Sequence, residues 1–268
     1  MTETVLISPE IFSLGDFAFR FKSRDQRLLD DARKLYSSTR SDGDYQLFDL
    51  DAVESRVIQS QYASIFHSLV TSAYRHHNGH LYVDGCALVT ENSELVLLAG
   101  ASRAGKTTLT VAAVQKLGWK IVAEDLILIA PSLDRIVSVV HPLSLRAGAQ
   151  QLIAEATGLP CLTLYLDRWL APHGMFHTDP CRPPKFVHAI LIGSDCENST
   201  FRTARVGSNE FLRALLPLSN ALSLDNGASL LGSCIERSHS SIISGGTVRD
   251  RLTFLAELNT YDSVEKAM

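Results

Sequence analysis

The chain has 268 residues, 46% of them hydrophobic and 20% charged, which is enough apolar material for one large domain, or a medium domain with a small companion, around a substantial core. Lys and Arg number 25 against 29 Asp and Glu, a formal charge of −4 with no basic run to track a phosphate backbone, and this argues against a nucleic-acid partner. Met1-Thr2-Glu3-Thr4-Val5 carries an acid where a secretory signal carries positive charge, no apolar run approaches the ~18 residues of a membrane span, and five scattered cysteines form no C-x-x-C pair, so a cytoplasmic protein with reduced thiols and no membrane partner is expected.

Residues 17–22 alternate apolar and basic as a half-buried strand does, and residues 25–36 follow as a short amphipathic helix. Residues 37–44 read as a polar connection and 45–50 as another strand. The longest helical periodicity runs over 52–76, with Val57, Ile58, Tyr62, Ile65, Phe66, Leu69 and Val70 on one side. These elements predict a small α+β region over residues 1–78 packed on a second unit of 79–268. Asn78-Gly79 ends the helix, and His76, His77 and His80, split by that break, read as solvated loop histidines rather than a metal set.

Strands are predicted at 81–90 and 94–99, joined by the turn-like Glu91-Asn92-Ser93, so that a hairpin leads into Gly100-Ala101-Ser102-Arg103-Ala104-Gly105-Lys106-Thr107-Thr108. That stretch fits the phosphate-loop pattern G-x-x-x-x-G-K-[ST] without a mismatch. Its glycines let consecutive N–H groups turn inward as an anion nest, the lysine reaches β- and γ-phosphates, and the hydroxyl ligates Mg²⁺. Leu109, Ala112, Ala113 and Leu117 at helical spacing predict a helix over 107–117 stopped by Gly118, whose N-terminus adds partial positive charge to the nest. Strand, loop and helix stand in the order a nucleoside triphosphate site requires. Gly100, Ser102, Arg103, Ala104, Gly105, Lys106, Thr107 and Thr108 are therefore the expected nucleotide-binding residues, with Ser102 either bonding phosphate or capping the turn.

Beyond Gly118, the acids Glu124-Asp125 interrupt an otherwise buried strand, 18 and 19 residues after Lys106, a gap that fits one helix, one turn and one strand returning to the loop. Phosphoryl transfer needs a carboxylate for the metal and gains from a base near the attacking hydroxyl. Lys106, Glu124 and Asp125 are the catalytic candidates, with Thr107 and Asp125 for the metal. Neighbours on a strand face opposite ways, so both acids meet the nucleotide only if the chain bends or bulges there. Spacing leaves open which is the base, and whether one is an outward ion-pair partner.

Strands at 136–140 and 143–146 suggest an antiparallel meander, and 148–157 a helix. Residues 158–185, with five prolines, read as a surface excursion or lid. A buried strand is predicted at 186–193, then helices near 209–215, 227–236 and 248–258, with no catalytic pattern of their own. Arg146 and Arg182 are open either as cations for the transferring group or as ordinary surface arginines.

From about residue 80 to 147 the sequence resembles the catalytic core of HPr kinase/phosphorylase and its relatives, on the glycine loop just quoted, Gly118-Trp119 and Val122-Ala123-Glu124-Asp125. The resemblance covers about a quarter of the chain. It implies an α/β (α+β) fold shared with the C-terminal domain of phosphoenolpyruvate carboxykinase, its sheet mixed and partly antiparallel with flanking helices. It also implies transfer of the γ-phosphoryl group of ATP, with Mg²⁺, to a hydroxyl, usually serine, of a protein, peptide or small molecule. Relatives carry Asp-Asp or Asp-Glu at the acid pair and commonly a histidine at about the position of Asp84 or Gly85. The C-terminal signature of the bifunctional HPr enzymes is absent, which turns the expectation from HPr towards the divergent kinases of the family, such as those acting on peptide natural-product precursors. The HPr enzymes are hexameric, which leaves a homo-oligomer open. A shikimate-type metabolite kinase and a non-catalytic ATP-binding regulator are the alternative readings.

Overall fold

The computed structural model describes residues 5–14, 17–35, 38–40, 45–50, 69, 79–132, 135–137, 142–146, 148–164, 169–170, 174–177, 185–193 and 200–265. The first 50 residues build a five-stranded sheet from β1 (Leu6–Ile7), β2 (Ile11–Leu14), β3 (Phe17–Ser23), β4 (Ser38–Arg40) and β5 (Gln46–Asp49), with helix α1 (Gln26–Leu35) between β3 and β4. β3 is its organiser. It pairs antiparallel with β1 and β2 and parallel with β5. The alternation read in residues 17–22 buries Phe17, Phe19 and Phe21, and Phe12 from β2 joins them, its ring 5.1 Å from that of Phe21 and 5.8 Å from that of Phe19. On the other side Lys22 meets Asp49 at 2.8 Å across the β3–β5 register. Asp25 opens α1 by accepting a hydrogen bond from the Arg27 N–H at 2.8 Å.

Two features of this region depart from the sequence reading. Residues 38–40, expected within a polar connection, form β4 because β2 offers them a ladder, and β1 and β2 carry too little alternation to be recognised alone. The helix expected over 52–76 lies outside the described residues except for Leu69, which is helical and buried, and so does the expected boundary at residue 78.

The second sheet has eight strands. β6 (Leu81–Val89) and β7 (Leu95–Gly100) form the expected antiparallel hairpin, which runs through the glycine loop into α2 (Lys106–Leu117). Gly118, at φ 70°, stops this helix in the left-handed region that glycine adopts without strain. β8 (Lys120–Ala123) and β9 (Leu126–Ile129) lie end to end along β6, both antiparallel to it, as one strand broken at Glu124-Asp125. β10 (Ile136–Val137) folds back on β9. β11 (Leu143–Ser144) leaves the meander that was expected and pairs with β12 (Trp169–Leu170) after α3 (Ala149–Thr157). β13 (His188–Ile192) then inserts parallel to β7, and the sheet ends with β14 (Arg202–Arg205) antiparallel to β15 (His239–Ser244). Helices α4 (Ser208–Leu215) and α5 (Gly227–Ile235) lie between β14 and β15, and α6 (Val248–Glu265) follows. The strand order is β10-β9-β6-β7-β13-β15-β14 with β8 also on β6, so the sheet is mixed, its centre the parallel trio β7, β13 and β15.

Alternation along β6 and β7 sorts side chains into two cores. Cys86, Leu88, Val96 and Leu98 face α2, α3 and α6, packing with Leu109, Ala112, Ile153, Leu252 and Leu255. Val83, Ala87, Leu95 and Leu97 face α4 and α5, packing with Phe211, Leu215, Leu231 and Ile235. Both faces of the central strands are covered, which is why they read as unbroken apolar runs. The segment expected as a lid is partly core. Leu162, Leu164, Met175 and Phe176 pack against the α2 side, and the Ile121 N–H donates to Met175 O at 2.8 Å while the His177 N–H donates to Ile121 O at 2.7 Å.

Candidate active site

The three parallel strands end on the same side of the sheet, where Gly100 closes β7 and Gly245-Gly246 follows β15. Ligands of open α/β sheets bind outside the carboxyl ends of such strands. Gly100 terminates β7 so close to β13 that a Cβ would stand 2.6 Å from Ile192 O. Arg103 at φ 74° and Gly105 at φ 91° are left-handed, and the Ala104 N–H closes a turn on Ala101 O at 3.1 Å. Left-handed residues alternating with others turn successive N–H groups to one side. Helix α2 starts at Lys106 with no side-chain cap and no acid in its first turn. Its leading N–H groups therefore have no intrahelical acceptor, and the end carries partial positive charge.

The Lys106 ammonium makes two contacts to the loop and one to β6. These are to Gly100 O at 2.6 Å, Ala101 O at 3.3 Å and Asp84 Oδ1 at 2.9 Å, and the lysine is buried. Asp84 comes from β6, whose even-numbered residues face α2. Two positions on, Cys86 is fully buried and its thiol donates to Glu124 Oε1 at 3.9 Å. The same oxygen accepts a short hydrogen bond from the Thr107 hydroxyl. Burial first, and the Glu124 charge second, push the Cys86 thiol well above its ordinary range, so it stays protonated.

The acid pair divides. Asp125 takes φ 65°, a left-handed conformation open to Asp, and the Leu126 N–H turns back on Glu124 O at 2.8 Å, while Gly85 N–H to Asp125 O at 3.3 Å keeps the ladder with β6. The kink points Glu124 inward, 3% exposed, onto Thr107, whereas Asp125 is exposed. The carboxylate that meets the Thr107 hydroxyl is thus Glu124, where Asp125 had been expected at the metal. Ser102 and Arg103 are exposed at the loop rim, Ala104 is buried beneath it and Thr108 is half-buried. Arg146 is exposed, and Arg182, His76, His77, Cys181 and Cys196 lie outside the described residues. His80 is half-buried, its carbonyl accepting from Asn220 Nδ2 at 3.0 Å. The described cysteines are free thiols, with Cys161 exposed and Cys86 and Cys234 buried.

One contributor had no signal in the sequence. Arg251 of α6 donates from Nη1 to Ala104 O and from Nε to Gly245 O, each at 3.0 Å, tying the glycine loop to the Gly245-Gly246 turn after β15. Arg251 thus braces the loop through one of its carbonyls. Thr247 and Asp250 fix the start of its helix: the Thr247 N–H and hydroxyl donate to Asp250 Oδ2 at 2.7 and 2.8 Å. The Thr247 backbone N–H, the first cause, and then its hydroxyl hold the Asp250 carboxyl below its usual range. Arg251→Ala is expected to remove about 2 kcal/mol, or roughly 4–8 °C in melting temperature, from two hydrogen bonds with a charged donor. Arg251→Lys, with one point of attachment, should fall between. Thermal melts followed by circular dichroism check the order.

No family model matches the sequence. No curated protein matches it either. Among solved structures the chain is similar to the Hpr(Ser) kinase/phosphatase from Coxiella burnetii, with 13% identity, 70% of this chain and 99% of that chain covered, and a TM-score of 0.30. A likeness of that depth leaves the chemistry to be read from the side chains. The fold itself is mixed α/β, and among the described residues no helix is long and apolar enough to cross a membrane.

The glycine loop, with Arg103 and Gly105 left-handed, leads into an uncapped helix start and a buried lysine bonded to its carbonyls, an arrangement suited to a polyphosphate. Among the described residues no cluster of three or more His, Cys, Asp or Glu side chains is set for a metal. The Thr107 hydroxyl and Glu124 carboxylate, already in contact, are two hard oxygen donors. That set suits Mg²⁺, which takes one or two protein oxygens and fills its shell with phosphate and water.

Proposed function

We propose that the protein is a Mg²⁺-dependent phosphotransferase that moves the γ-phosphoryl group of ATP onto a hydroxyl of a peptide, protein or small molecule, with serine the first candidate. One juxtaposition carries the reading: at the uncapped start of α2, the Thr107 hydroxyl meets the buried Glu124 carboxylate while the Lys106 ammonium is bonded to the carbonyls of the same loop. The N–H groups of residues 102–108 would cradle the phosphates and Lys106 would neutralise the β- and γ-oxygens. Thr107 and Glu124 would hold the metal, with Asp125 as the second, exposed carboxylate of the pair. Mg²⁺ bound there supplies charge neutralisation across the β- and γ-phosphates during transfer. Arg251 would keep the loop in shape without touching the nucleotide.

The test is to incubate the protein with γ-labelled ATP, Mg²⁺ and cell extract, beside Lys106→Ala and Asp125→Asn variants. A labelled product that disappears with Lys106→Ala supports transfer, and its size separates peptide from metabolite. ATP binding with no labelled product would make the protein a nucleotide sensor.

A further inference from the structure

Asp84 belongs to neither the glycine loop nor the acid pair, yet its Oδ1 lies 2.9 Å from the Lys106 ammonium. That lysine has three N–H donors and three acceptors, of which Gly100 O and Ala101 O are part of the loop itself. Asp84 is the acceptor outside the loop and carries the negative charge, so an incoming phosphate oxygen competes with it most directly for the ammonium. A phosphoryl group bound by Lys106 therefore lies next to the carboxylate it displaces. Glu124 is 3% exposed and already engaged with Thr107 and Cys86, whereas the Asp84 side chain is 41% exposed, open to a second molecule arriving at the loop.

We infer that Asp84 is the catalytic base: once phosphate has taken its place on Lys106, its carboxylate receives the proton of the acceptor hydroxyl. The acceptor oxygen then forms a bond to the γ-phosphorus, the bond from that phosphorus to the bridging oxygen breaks, and its electron pair leaves with ADP. The proton is on Asp84 and passes to water. Until nucleotide arrives, the same carboxylate is the counterion that holds Lys106 in place. This inference rests on the phosphotransfer reading and adds to it the group that activates the acceptor.

Two measurements on Asp84→Asn and Asp84→Glu test it, with ATP and Mg²⁺ as the probe and water as the simplest hydroxyl acceptor. Calorimetric titration with ATP should show binding to Asp84→Asn at least as tight as to the wild type, because a competing anion is gone. Release of ADP at saturating ATP should fall by about 10²–10⁴-fold, the range general-base catalysis spans. Asp84→Glu, which keeps the base one methylene further out, should recover part of the rate. A rate within threefold of wild type for Asp84→Asn overturns the inference. A loss of ATP binding equal to the loss of rate overturns it too, since Asp84 would then serve only to position Lys106. A wild-type protein that binds ATP and neither hydrolyses nor transfers it overturns this inference together with the phosphotransfer reading, whereas a fully active Asp84→Asn overturns this one alone.

Discussion

Lys106→Ala is expected to weaken Mg-ATP binding by at least ~100-fold, the scale of one strong charge-assisted contact to phosphate, about 3 kcal/mol. The most direct reading is the melting temperature with and without nucleotide. At an ATP concentration ~100 times the wild-type Kd, ligand binding stabilises the folded protein by about 2.7 kcal/mol. A 100-fold weaker variant at the same concentration gains only about 0.4 kcal/mol. At ~2–4 °C per kcal/mol, a rise of roughly 5–11 °C should shrink to under ~2 °C. The ligand-free variant should also melt lower, because Gly100 O and Ala101 O lose their donor and Asp84 its cation. These two effects separate on one instrument. An undiminished ATP-dependent rise in Lys106→Ala would remove the phosphate site.

Glu124→Gln carries the second large effect. The amide keeps the size of the side chain and an oxygen for the Thr107 hydroxyl, so the kink at Asp125 should survive, while the negative charge offered to Mg²⁺ is lost. Phosphoryl transfer is expected to fall by ~10²–10³-fold, and the gain in ATP affinity on adding Mg²⁺ should largely vanish, as calorimetric titrations with and without the metal would show. Stability should move the other way or not at all. A carboxylate this deeply buried is desolvated, and exchanging it for a neutral amide lifts that penalty. The thiol of Cys86 gives an independent reading. Removing the Glu124 charge should lower its ionisation pH without restoring it to normal, because burial is the larger cause. A ligand-free melting temperature several degrees below wild type, with Mg²⁺ enhancement intact, would show that Glu124 serves the fold and not the metal.

Much of the site is local in the chain, and that part was legible. β6, β7, the glycine loop and α2 follow one another without a gap larger than a turn, and each announces itself by alternation, glycine spacing or helical period. The acid pair was found because one helix and one strand after Lys106 is the distance at which the chain returns to the loop. β13 was legible as a buried apolar run. β15 was not, because His239-Ser240-Ser241-Ile242-Ile243-Ser244 reads as polar, although Ser240 and Ser241 are buried by the strands and helices around them. β14, exposed at every residue, owes its strand form to the ladder with β15. Arg251 reads as an ordinary helix-surface cation, and the carbonyl it holds is 147 residues away.

By itself the sequence determined the elements whose cause lies within a dozen residues: the hairpin, the anion-nest pattern, the helix that Gly118 stops, and a pair of acids within reach of them. Tertiary structure decided which groups meet. The left-handed turn at Asp125 sends Glu124 to Thr107 and leaves its neighbour outside, the face of β6 brings Asp84 to Lys106, and the docking of α6 sets Arg251 against the loop. The physical reason is range. Propensity and periodicity act between neighbours along the chain, whereas a carboxylate finds its partner through the register of a sheet and the packing of helices that close only when distant segments come together.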